Sequence, residues 1–328
     1  MSAADEEREG EGGAAHLQTL HRQLYDSALD RCLLWVNPAQ GDPFAGDALV
    51  QERKVRVPIS HPRFDLKYAP YLAPLDLSRS ADAEVFKASV GMAWDAWTLP
   101  SLLALRGQPI GGWVVTDVTP AALAQYWASH CHLHVAGGLH KLLRFHDPSV
   151  REWLWPALDI AQQRRLLGPA RLLIGIDRQQ NLMQQSQGAQ AELEPAPAQP
   201  LNLKLTEPQW AQVEDYAVLH SAWLAWCEEQ PQNRASLDSA GGWRKGLFAA
   251  LQQATQFGIV DPQDRELFAR HALQLGPDFH AHEKLQAVWQ KTRTGEFYGG
   301  ALEEVSGHAT DELKTYLQSD LQTSLQRV

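Results

Sequence analysis

The stretch Leu142-Leu143-Arg144-Phe145-His146-Asp147-Pro148-Ser149-Val150, with the run that follows it to Leu167-Gly168-Pro169, constrains this chain more than any other. A half-apolar extended segment meets Asp-Pro there. Proline has no N–H to lose at the first helical position, so Asp147 can cap a helix that Pro148 begins. Val150, Trp153 and Leu154 give that helix an apolar face, and Pro156 stops it, because an interior proline clashes with the preceding turn. A second short helix should follow: Asp159 and Gln162 form a capping-box pattern, Leu166 and Leu167 supply the buried side, and Gly168-Pro169 closes it. Such punctuation specifies shape, and none of it is obviously catalytic.

Around this corner the pattern alternates between strands and helices. Leu17, Leu20, Leu24 and Ala28 have helical spacing, and Cys32 to Val36 is a compact apolar run that reads as a buried strand. Val55 to Ile59 alternates like a strand whose Pro58 suggests an edge. A helix is predicted over Ala81 to Trp97, with Val85, Phe86, Val90, Ala93 and Trp97 inward, then a strand over Ile110 to Val115 and a helix from Thr119-Pro120 through Trp127. Cys131 to Val135 and Leu139 to Phe145 flank Ala136-Gly137-Gly138 as a hairpin, and Arg171 to Ile176 supplies a last strand. Helices between strands, plus one hairpin, predict a mixed sheet with helices packed against it.

Beyond a Gln-, Ala-, Glu- and Pro-rich segment over 184–200, everything reads as helix. The first helix, from Thr206-Glu207-Pro208, carries two apolar stripes: Trp210, Val213, Ala217, His220, Leu224 and Cys227, and beside them Tyr216, Leu219, Trp223 and Trp226. A helix so widely apolar is either buried centrally or waiting for a partner. Further helices are expected around Leu247 to Leu251, from Asp261-Pro262 to Gly276, around Leu285 to Trp289, and over Leu313 to Leu325 after a loop from Gly295 to Gly300. The fold class expected is α+β: a mixed α/β N-terminal domain followed by an all-α bundle. Its parts are an acidic tail over 1–15, the mixed domain over 16–183, a linker over 184–200 and the bundle over 201–328.

Charge bounds the partners. A formal net charge of -10 disfavours nucleic acid and anionic membranes, which attract a surplus of Lys and Arg. Cys32, Cys131 and Cys227 are far apart, without a CxxC pair, and suggest neither a disulfide framework nor a zinc ribbon. The tail lacks the basic start and apolar core of a signal peptide, and no apolar run approaches the roughly eighteen residues of a membrane span. A cytoplasmic protein is expected.

Candidate chemistry is thin. His132 and His134 would share a strand face that a cross-strand His140 could join, a possible three-nitrogen metal site. A solvent-facing row on a hairpin explains the same alternation, and no acidic ligand or HExxH accompanies it, so no metal is expected. His280 and His282 read as polar surface. GxSxG, GxxxxGK[ST] and GxGxxG patterns are absent, and Glu228-Glu229 and Glu303-Glu304 read as solvated faces. Arg144 and Asp147 should bridge across the corner, or Arg144 could offer its fork to a partner carboxylate. Of the twelve tryptophans, Trp94, Trp97, Trp113, Trp153 and Trp155 read as core, whereas Trp223, Trp226 and Trp243 could anchor a partner, although spacing does not separate the two uses and core is the commoner one. With no catalytic centre and no cofactor site in view, a binding role is expected rather than an enzyme.

Leu143-Arg144-Phe145-His146-Asp147-Pro148, Trp155-Pro156-Ala157-Leu158 and Leu167-Gly168-Pro169 resemble the signature of the type VI secretion effector chaperones, also called Tap or TEC adaptors. Ala69-Pro70-Tyr71-Leu72 with Leu75-Asp76 is similar to an upstream element of that family, and order and spacing agree over roughly residues 25 to 175. His146 stands where the family usually has Tyr, Ser149 where it usually has Arg, and Thr116 or Asp117 where Ser is common. The resemblance implies a cytoplasmic adaptor that holds a toxic effector and loads it onto the tip-spike protein VgrG; the residues themselves, read at the corner and on the widely apolar helix, place the expected partner-binding groups among Arg144, Asp147, Trp210, Trp223 and Trp226. The competing expectations are a metal-dependent hydrolase on His132, His134 and His140, and a structural subunit of the secretion apparatus.

Overall fold

The computed structural model describes residues 14–15, 17–19, 22–23, 31–61, 64–135, 139–186, 203–229 and 243–318. The chain divides into two compact units, Met1–Val213 and Glu214–Val328.

The first unit is built on a six-stranded sheet of order β2-β3-β1-β4-β7-β8. Its strands are β1 (Arg31–Val36), β2 (Val55–Arg56), β3 (Tyr71–Asp76), β4 (Ile110–Thr116), β7 (Ala170–Ile176) and β8 (Leu182–Ser186), while β5 (His132–Val135) and β6 (Leu139–Leu142) form a separate hairpin. The helices are α1 (Ala48–Arg53), α2 (Ser80–Asp95), α3 (Leu99–Leu103), α4 (Pro120–Cys131), α5 (Pro148–Leu154) and α6 (Ile160–Leu167).

The α+β class is as expected, but every strand pairing is antiparallel, so the sheet is not mixed. The reason lies in β1. It pairs antiparallel with both β3 and β4, so those two strands run the same way, as a helical crossover through α2 demands, yet they are not neighbours.

Alternation along the strands feeds two helical layers. Leu33, Trp35, Leu72, Val114 and Leu173 face one side, where they join Leu123 and Trp127 of α4, Phe145, Leu154 of α5 and Leu166 and Leu167 of α6 in one core. Trp35 stacks on Trp127 at 4.1 Å between ring centroids. On the other side Trp113 meets Phe86 edge-on and donates from Nε1 to Ser89 Oγ at 2.9 Å, and Trp97 Nε1 donates to the Ile176 carbonyl at 2.8 Å. The stripe expected on α2 and just beyond it, Val85, Phe86, Val90, Ala93 and Trp97, is buried throughout.

Two strands of the first unit form where none was expected. Residues 71–76 form the strand β3 despite Pro74: β2 reaches only Tyr71 and Leu72, so past Leu72 one side of β3 is unpaired and tolerates a residue without N–H. Strand β8 runs into the expected 184–200 linker as far as Ser186, because Gln184 and Gln185 pair with Ile174 and Leu173. The rest of that linker, 187–200, lies outside the described residues, as do most of the acidic tail and the hairpin turn at 136–138.

The second unit is helical, as expected. It holds most of α7 (Glu207–Glu229), then α8 (Trp243–Gln256), α9 (Pro262–Leu275), α10 (Gln286–Arg293) and α11 (Tyr298–Ser306). Phe257 stacks on Trp289 at 4.4 Å, and Phe268 packs between Trp289 and Tyr298. Residues 298–306 were expected to begin in a loop, since Gly299 and Gly300 are poor helix formers. Asp264 of α9 supplies what the sequence around them lacks: its carboxylate accepts the Tyr298 and Gly299 N–H groups at 2.7 and 3.1 Å. The predicted last helix is seen over 313–318, and Leu321 and Leu325 lie outside the described residues.

Candidate partner-binding site

The corner forms as the cap chemistry requires. Asp147 has extended backbone, its Oδ1 accepts the Ser149 N–H at 3.0 Å, and Oδ2 accepts from Arg144 Nη2. The Asp147 side chain is 7 % exposed and that of Arg144 53 %. Asp147 is therefore committed to the fold, while one edge of Arg144 still faces solvent. The next helix also starts as expected, with the reciprocal Asp159–Gln162 capping box and exit at Gly168, whose φ is +58°.

Behind this corner lies a buried polar assembly that sequence reasoning missed. All seven residues of α5 are buried, Arg151 and Glu152 among them. Arg151 donates from Nη2 to the Gly111 carbonyl at 2.6 Å and from Nη1 to the Phe145 carbonyl at 3.2 Å, tying the corner to β4. Burial lowers its pKa to about 9. Glu152 pairs with Arg178, whose guanidinium lies over the rings of Trp153 and Trp97. His146 is also buried, and burial, reinforced by Arg144 and Arg151, pushes its pKa down to about 3, so the ring is neutral at ordinary pH.

The sheet makes room for these groups with glycine. A Cβ on Gly111 would come 2.7 Å from the His146 carbonyl oxygen, and one on Gly175 2.6 Å from Arg151 Nη2. Glycine inside a strand is the sequence signal of a close approach, and it stands at both positions.

The stripes of α7 resolve towards core. In the first unit Trp210 and Val213 pack against the main cluster, and Lys141 Nζ sits 5.1 Å from the Trp210 ring centroid. Gln162 and Gln209 exchange reciprocal side-chain bonds at 2.9 and 2.7 Å, seating the start of α7 on α6. Further along, Trp223 and Trp226 are only 2 % and 6 % exposed, so neither ring is offered as a free anchor; from Leu219 to Cys227 both stripes contribute buried residues, whereas Ala217 is exposed. The side chain of Trp243 lies outside the described residues.

The histidines are placed by register. His134 stands opposite His140, and the His132 ring meets His61 edge-on at 5.2 Å. The side chains of His134 and His140 lie outside the described residues. Among the described residues no group of three or more His, Cys, Asp or Glu side chains is arranged to hold a metal, and no helix is long and apolar enough to cross a membrane.

The first unit is thus an α+β domain whose antiparallel sheet is locked to a capped corner by buried charge. A family model described as a domain of unknown function (DUF4123) matches residues 65–165, from just before β3 to within α6, and that family is associated with type VI secretion effector adaptors. No curated protein and no solved structure matches the chain.

Proposed function

We infer that the chain is a type VI secretion adaptor, which binds a toxic effector in the producing cell and loads it onto the VgrG spike. The observation that carries this reading is the coincidence of the family match over 65–165 with the capped corner and its buried charges. In that region Asp147, Arg151 and Glu152 are committed to internal bonds, which is the use of charge expected of a rigid scaffold. Acid–base catalysis instead needs such groups within reach of a substrate.

On this reading the first unit is the shared frame and the second tailors the choice of cargo. Co-expression of the full chain with an effector from its own secretion cluster should yield a soluble complex in size-exclusion chromatography. Removing residues 214–328 should abolish it if that unit selects cargo. An effector that is equally soluble and migrates alone in the presence of the full chain would refute the adaptor reading.

A further inference from the structure

A groove of about 410 Å³ opens at one end of the sheet, where the start of β1, the end of β3 and the end of β4 meet the beginnings of α2 and α4. Its apolar lining includes Leu33, Leu75, Val114 and Val118, the last 37 % exposed. Arg31, Arg53 and Arg79 stand around it with Asp76 and Asp82.

The two carboxylates are already engaged. Asp82, with a side chain 0 % exposed, accepts from Arg53 Nη1 at 3.0 and 2.8 Å and from the Asp76 N–H at 2.7 Å. Asp76 accepts from the Ser78 hydroxyl at 2.6 Å and faces Arg79 Nε at 3.5 Å. The Arg31 side chain makes no hydrogen bond or ion pair among the described residues, although, after the Ser78 hydroxyl bond, its charge helps to lower the pKa of Asp76. Three guanidinium groups against two engaged carboxylates leave the groove positive on a chain whose net charge is -10.

We propose that this groove binds an acidic segment of a partner polypeptide, with an apolar side chain seated on Val118 and neighbouring carboxylates held by Arg31 and Arg79. Guanidinium forks suit carboxylates in two-point contact, and the apolar lining gives a peptide something that a bare anion cannot use. Cys32 in the lining is no rival nucleophile: burial, with Asp82 beside it, pushes its thiol up to about 12. The partner class rests on the adaptor reading, of which this would be one docking point.

The test uses the full chain and a fluorescein-labelled, capped hexapeptide of alternating leucine and glutamate, followed by anisotropy. Saturable binding is expected, weakened by salt, and about tenfold or more weaker in Arg31→Glu/Arg79→Glu, as loss of charge-assisted hydrogen bonds predicts. Val118→Asp should weaken it independently, whereas Lys314→Glu, the same kind of charge change on the second unit, should leave it intact. Three results would overturn the proposal: equal binding of a leucine–lysine peptide, unchanged affinity in the groove variants, or an equal loss in Lys314→Glu. Complete displacement by citrate would also count against it, reassigning the groove to small carboxylates. No effector enters this assay, so its failure leaves the adaptor reading standing, and failure of effector binding leaves the groove result standing.

Discussion

Arg178 Nε and Glu152 Oε2 lie 2.9 Å apart with their side chains 0 % and 2 % exposed, an ion pair sealed between α5 and the turn that follows β7. A pair taken wholly out of water is costly to form and costlier to break, since removing one partner strands the other charge.

Glu152→Leu alone should therefore destabilise the first unit by about 3–5 kcal/mol, whereas Glu152→Leu with Arg178→Met should recover most of that loss. Urea unfolding followed by tryptophan fluorescence measures both. Equal stability of the single and double variants would show that the pair is not coupled.

At the corner, Asp147→Ala removes a cap and should cost about 1–2 kcal/mol. Arg144→Ala should cost less than about 1 kcal/mol, because an ion pair with one exposed member contributes little. Thermal unfolding compares them. A large loss of effector binding in Arg144→Ala at unchanged stability would assign Arg144 to the partner surface.

Gly112 has φ of +138°, and a Cβ there would come 2.2 Å from the Ile174 carbonyl oxygen. Gly112→Ala should disrupt the pairing of β4 with β7 and cost at least the roughly 1–3 kcal/mol of overpacking, with positive-φ strain in addition. A melting temperature matching the parent chain would contradict this placement.

Acid should loosen both units. Burial lowers the pKa of His271 to about 4, although Nδ1 lies 2.8 Å from Tyr298 Oη and Nε2 2.9 Å from the Thr310 carbonyl. An unfolded histidine titrates near 6.5, so between about 6.5 and 4 the unfolded chain binds the extra proton. Stability is full above that window and falls as pH drops through it; for His146 the window extends to about 3. Unfolding of His271→Gln between pH 7 and pH 4.5 should show a shallower slope than the parent, and an identical slope would show that His271 does not drive the effect.

The corner was legible in the sequence because capping is local chemistry: Asp147-Pro148, Asp159 with Gln162, and Gly168 each specify their own turn. The same holds for Asp261-Pro262 and Gly276 around α9. Elements supported from a distance were not legible. Pro74 in β3, the glutamines of β8 and Gly299-Gly300 of α11 all point locally to loops, and each is held by a partner far along the chain: β1, β7 and Asp264. Arg151 and Glu152 drew no notice in the sequence, since nothing adjacent marks them as buried. The trace of Arg151 is the strand glycine Gly175, where a Cβ would meet its guanidinium, and that signal acquires meaning once β7 is adjacent to the corner. The tryptophans of α7 could not be divided between core and anchor by spacing, because both uses produce the same apolar stripes.

The most direct measurement is made in the secreting bacterium. With the gene for this chain deleted, the adaptor reading predicts that one effector disappears from VgrG-bound complexes and from the secreted fraction, while the spike itself still assembles and other effectors are delivered. Unaltered loading and delivery of every effector would contradict it.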